Sequence, residues 1–146
     1  MSLDELLRDG RLEQRATSRN EILDLLRLAS RDLSDAAVSS VSTDGRFNHA
    51  YEAGLILATI PLRCAGYRTK GEAHHSTVFE ALPFVMGNQV EEMAEYLQTC
   101  RRKRNGSAYF APEVATEGEV SELTAEVDEF GETVRRWIRD NYPQCC

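Results

Sequence analysis

Apolar residues in this chain recur at helical spacing almost throughout, and the alternation expected of strands is nearly absent. Ile22, Leu25, Leu26, Ala29 and Leu33 fall on one face. Ser18 stands before them as an N-cap with Glu21 at capping-box spacing, and Thr17 is the alternative cap. This predicts a helix over 18–39. The small, polar run 38–43 reads as a turn, after which Thr43 or Asp44 caps a helix over 44–64 with Phe47, Tyr51, Leu55, Ala58 and Leu62 as its stripe. Pro61 should kink the last turn of that helix, Gly66 should end it, and 67–71 should be a crossover loop. A shorter helix over 77–86 turns Val78, Leu82, Val85 and Met86 inward and stops at Gly87-Asn88. The next begins near Gln89 and buries Val90, Met93, Leu97 and Cys100. Residues 110–118 read as a loop. The last helix, over 119–141, carries Leu123, Val127, Phe130, Val134, Trp137 and Ile138 on one stripe, with acidic residues in its first half and arginines at its end. Residues 3–9 add a short, poorly capped helix.

Four long helices with short connections predict an all-α, up-and-down bundle of four to five helices in one domain. The core should span 17–142, with an N-terminal helix or arm over 1–16 and a mobile tail over 143–146. A length of 146 residues is enough to bury roughly two-thirds of the unfolded surface. With 42% hydrophobic and 28% charged residues, the composition fits neither disorder nor a membrane-spanning chain. The N-terminus has no basic, apolar leader pattern, which points to a cytoplasmic location. Cys64 and Cys100 lie in apolar helical patterns and read as small buried hydrophobes, whereas Cys145 and Cys146 end the expected tail. No Cys-x-x-Cys spacing exists, which argues against a thiolate zinc site, and no cofactor or metal is implied.

The formal net charge of −7 argues against a general nucleic-acid coat. Against that background Arg101-Arg102-Lys103-Arg104 reverses the sign locally, followed by Asn105, Gly106 and Tyr109. At about 100° per residue Arg101, Arg104, Asn105 and Ala108 share a stripe, while Tyr109 falls roughly 140° from Arg104. Gly106 would permit a break that returns Tyr109 toward Arg104. One reading is a solvated face near a helix end. The other is a phosphate-binding cluster with Asn105 and Tyr109 as polar partners.

Arg104-Asn105, three residues and Tyr109, late in a helical chain of this size, resembles the HEPN superfamily, whose signature is an Arg followed after four to six residues by His. The stretches Asp44-Gly45-Arg46-Phe47-Asn48-His49-Ala50-Tyr51-Glu52-Ala53, Ala65-Gly66-Tyr67-Arg68 and His74-His75-Ser76-Thr77-Val78-Phe79-Glu80-Ala81-Leu82 resemble the second and third helices of small bacterial members. The resemblance covers roughly residues 17 to 142. It implies RNA or nucleotide affinity, with Arg104 on the scissile phosphate, Asn105 fixing the Arg or the phosphate, and a metal-independent site leaving a 2′,3′-cyclic phosphate. It further implies a homodimer whose site is shared between two chains, and a minimal nucleotidyltransferase partner in a toxin–antitoxin or defence module. The chain departs from the signature at Tyr109, which stands where the family has His. A phenol is on the order of one part in a thousand ionised at neutral pH, a poor base unless Arg101, Lys103 or Arg104 lowers its pKa.

The remaining candidates each have a plain reading beside a functional one. His74 and His75 point about 100° apart on a helix and lack a zinc-protease spacing, so they read as polar groups at a loop-to-helix junction. His49 is either a half-buried histidine or a second wall of the site. Asp44 and Arg46 read as a cap and a surface pair, with a site role that the resemblance would encourage. Two functions follow: a HEPN-like RNA- or nucleotide-directed protein with weak or no ribonuclease activity, or a non-catalytic helical module that binds a nucleotide or a partner protein.

Overall fold

The computed structural model describes residues 1–108 and 114–146, with the side chains of 106–108 left aside. It is an all-α helical bundle carrying one small two-stranded sheet. Helix α1 is Leu3–Arg8, capped by Ser2, whose side chain accepts from the Glu5 N–H at 3.2 Å. Strand β1, Leu12–Gln14, pairs antiparallel with β2, Tyr67–Thr69, so that Leu12 faces Thr69, Glu13 faces Arg68 and Gln14 faces Tyr67. The crossover loop expected over 67–71 is therefore partly a strand. Three-residue strands are too short to show a period of two.

Helix α2, Arg19–Ala36, uses the expected Ser18 cap and ends before the small residues that follow. Helix α3, Thr43–Cys64, is the centre of the bundle and packs against α2 and against α4 (His74–Met86), α5 (Glu91–Ala108) and α6 (Glu117–Asn141). All five residues of its expected stripe are buried, but so are Ala50, Ala53, Gly54, Leu57, Ile60 and Pro61. A helix buried on most of its faces carries more than one stripe. Gly54 marks the tightest crossing: a Cβ there would stand 2.8 Å from a Leu97 methyl on α5 and 3.2 Å from a Val127 methyl on α6. The lack of a side chain at this point lets α5 and α6 approach the middle of α3. Helical assignment continues through Pro61 to Cys64. Gly66, with φ of 92°, then supplies the left-handed turn into β2.

Helix α4 begins at His74, three residues earlier than the apolar pattern indicates, so His74 and His75 lie in its first turn. A short 3-10 turn, Asn88–Val90, leads into α5. Helix α6 starts at Glu117 rather than 119, because Thr116 and Glu119 form a reciprocal capping box. The expectation of a mobile tail over 143–146 is corrected. Pro143–Cys145 forms a 3-10 turn packed on α2 and α6, with Cys145 only 5% exposed. Cys64 and Cys100 are buried as expected, and burial, with Cys145 close by, pushes the Cys64 thiol up to about 12. Among the described residues, no helix is long and apolar enough to cross a membrane.

Candidate functional site

The basic run occupies the second half of α5, where that helix passes the first turn of α4. Between them lies a cleft of about 190 Å³ lined by Glu72, Ala73, His74, His75, Ser76, Arg101 and Asn105. The orientation of Arg101 is set by neighbours. Its Nε donates to Gln98 Oε1 at 2.9 Å, and Gln98 Nε2 donates in turn to the Ser76 carbonyl at 3.1 Å and the Ser76 hydroxyl at 3.2 Å. The chain of contacts continues inward, with Ser76 donating to Glu80, and Glu80 paired with Arg11. Arg101 is thus tied through α4 to the N-terminal segment.

Arg104, one turn further along α5, donates from Nη2 to Glu52 Oε1 at 3.1 Å, and its guanidinium carbon stands 5.6 Å from the centre of the Tyr51 ring. The Tyr51 side chain is wholly buried and its hydroxyl lies 3.2 Å from His75 Nδ1. Burial drives the phenol pKa well above its ordinary range, against the opposing pull of Arg104. The hydroxyl therefore keeps its proton. Burial likewise lowers the His75 pKa to about 4, and His74, Arg104 and Arg101 add to the effect as positive neighbours. His75 is neutral at pH 7.

These two states favour one tautomer. Among the described residues, His75 Nδ1 is the hydrogen-bond partner of the buried Tyr51 hydroxyl, and a buried donor left without an acceptor is costly. A phenol that donates to Nδ1 leaves the imidazole proton on Nε2. The cleft then combines a guanidinium, a side-chain amide and a neutral imidazole N–H, with a second guanidinium beside them. Such a set suits an oxyanion.

The other sequence candidates fall elsewhere. Arg102 is exposed, and Lys103 Nζ pairs with Glu119 Oε2 at 2.8 Å, joining α5 to α6. Asp44 accepts from the Val114 and Ala115 backbone N–H groups at 3.2 and 2.9 Å. Arg46 donates to the Ala36 carbonyl at 2.8 Å and to Glu117 at 2.9 Å. Together they hold the approach to α6. His49 faces α2, with Nδ1 3.1 Å from Asp32 and 3.9 Å from Asp35. Those three side chains are the group among the described residues whose ligand atoms could hold a cation, all lying within 4.8 Å of one another. None of Asp44, Arg46 and His49 lines the α4–α5 cleft. Tyr109 lies outside the described residues.

Sequence reasoning missed Tyr51, Glu52, Gln98 and His75 as members of the site. Tyr51 reads as an ordinary core position and His75 as a junction residue. Only the packing of α3, α4 and α5 brings them to the basic run. The chain matches no protein-family model, and neither curated proteins nor solved structures give a significant match to it.

Proposed function

We propose that this is an RNA- or nucleotide-directed protein that binds a phosphate group in the α4–α5 cleft. The observation that carries the reading is the cleft itself, where Arg101 and Asn105 meet His74, His75 and Ser76 beside Arg104. Arg101 and Arg104 would supply permanent positive charge, and Arg104 would exchange Glu52 for a phosphate oxygen or hold both. His75 would donate from Nε2 as a neutral partner. Asn105 would contribute an amide to the same oxygens.

The arrangement favours binding over turnover. A general base needs a free lone pair within reach of the attacking hydroxyl. With Tyr51 donating to Nδ1, the lone pair of His75 is already occupied and its other nitrogen carries a proton. Cleavage would require the Tyr51 proton to turn away from His75, or Tyr109 to act in the manner of the family histidine. The HEPN resemblance, with its homodimer and its nucleotidyltransferase partner, enters here as part of the same proposal. A strictly monomeric chain in sedimentation equilibrium at micromolar concentration would remove the composite site from it.

The test uses a labelled single-stranded oligoribonucleotide in excess chelator, with anisotropy for binding and end-group analysis for cleavage. Arg101→Ala and Arg104→Ala are each expected to weaken binding about tenfold. Wild-type RNA should remain intact. Cyclic-phosphate ends that disappear with Arg104→Ala would establish a ribonuclease instead, and binding indifferent to both substitutions would refute the cleft.

A further inference from the structure

A second concentration of arginines lies at the far end of α3. Arg63 is in the last turn of that helix, Arg68 lies on β2 opposite Glu13, and Arg15 follows β1, with its backbone N–H bound to the Gly66 carbonyl at 2.8 Å. The left-handed turn at Gly66 folds these segments around a cavity of about 240 Å³. Its lining is mainly polar, including Arg15, Arg63, Arg68, Tyr67, Thr59 and Thr69. Glu13 also lines it, 3.9 Å from Arg15 at a partly exposed position.

The donors here outnumber their acceptors. Arg63 uses Nη1 and Arg68 uses Nη2, both on the single carboxylate of Glu21, at 3.1 and 2.6 Å. The Nε atoms of both arginines are sealed from solvent and have no partner among the described residues. Each guanidinium presents five N–H bonds, so most remain unused. Among the described residues, the three guanidinium groups pair with two carboxylates, Glu13 and Glu21. An anion in the cavity would compensate the excess positive charge of these guanidinium groups.

We propose that this cavity is a binding site for one tetrahedral oxyanion, a free phosphate or the phosphate of a monoester, held by Arg63 and Arg68 with Arg15 nearby. The site is separate from the α4–α5 cleft. Arg63 follows Tyr51 by twelve residues on α3, about 18 Å along the helix axis. The cavity volume limits the enclosed group to something small. Glu13 would repel a second phosphate, which favours a single group over a polyphosphate or a nucleic-acid backbone.

The experiment is calorimetric titration of the full chain with inorganic phosphate, and separately with adenosine monophosphate, at constant ionic strength. The arginine Nε resonances are followed by NMR. Expected is saturable binding that moves the Arg63 and Arg68 signals, with the Arg63 movement weakened about tenfold in Arg68→Lys, which keeps the charge and loses the fork, while any phosphate held in the α4–α5 cleft is read apart from it on the Arg101 signal. Preference for inorganic phosphate would identify the free ion, and preference for the nucleotide would identify a monoester as the source. Glu13→Gln, an isosteric change at a partly exposed position, should tighten the binding severalfold. The proposal is overturned by Arg63 and Arg68 signals that do not move saturably in the folded wild type, by an Arg63 movement that survives Arg68→Lys at full strength, or by indifference of these signals to Glu13→Gln.

Discussion

Arg101, Arg102, Lys103 and Arg104 are adjacent in the chain, and the helix sends them to four different environments. Arg101 turns to Gln98 and the α4–α5 cleft, Arg102 to solvent, Lys103 to Glu119, and Arg104 to Glu52 and the Tyr51 ring. Arg15, Arg63 and Arg68 are separated by up to fifty-three positions, yet all three line one cavity. A run of like charge on a helix is spread by its own geometry over the whole circumference. Concentrated charge is instead assembled by tertiary contacts, where one carboxylate serves two guanidinium groups and the remaining donors face inward.

The largest effect expected from breaking this contrast is at Glu21. Its removal leaves Arg63 and Arg68 together without their shared acceptor. Glu21→Ala should cost about 2 kcal/mol, below the figure for a fully buried pair because these side chains keep partial contact with water. Urea denaturation measures it. The pH dependence has a definite sign. Arg68 is the main cause that lowers the Glu21 carboxyl from 4.5 to about 2, so its contribution is complete above about 4.5 and is lost as pH falls toward 2. Glu21→Gln should flatten the acid limb of the stability curve in that window. An unchanged limb would mean that the pair contributes nothing to folding.

A smaller effect is expected at the other site. Tyr51→Phe keeps the ring beneath Arg104 and removes only the hydroxyl that meets His75, so the loss should be about 1 kcal/mol. In the wild type the His75 resonances should titrate with a midpoint of about 4. The unfolded chain takes up this proton at its ordinary value of 6.5, so the contribution of a neutral His75 is full above 6.5 and declines as pH falls toward 4. Tyr51→Phe should also release the tautomer, visible as a change in the Nδ1 and Nε2 shifts. An unaltered tautomer would show that the phenol does not set the proton's position.

The two sites differ in how much of each the sequence discloses. The long helices are readable because each repeats a strong apolar spacing, as Ile22, Ala29 and Leu33 do on α2. The polar pairings leave no such signal. Tyr51 occupies a core position that a Leu or Phe would fill equally well by pattern, and its partner His75 lies in the first turn of the next helix, beyond β2. Arg63 and Arg68 look unremarkable in the chain because their shared acceptor, Glu21, lies forty-two and forty-seven positions earlier. The β1–β2 pairing is hidden for a different reason, since three residues cannot establish an alternation. The packed C-terminus is legible only once α2 and α6 present a surface for Cys145.

The smallest effects sharpen the comparison within the run itself. The Lys103–Glu119 pair has side chains 30% and 41% exposed, so Lys103→Ala should change stability little and less still at high salt. Arg102→Ala should leave stability unchanged, since the side chain is exposed and has no ion pair among the described residues. Oligonucleotide binding should rank the four differently from an undifferentiated patch. Loss of Arg101 or Arg104 should matter most, because the first lines the cleft and the second stands beside it on Tyr51, whereas loss of Arg102 should act only through long-range attraction and fade as salt rises. Equal losses at all four positions, with one common salt dependence, would mean that the run works as bulk charge and that the geometry around His75 plays no part in recognition.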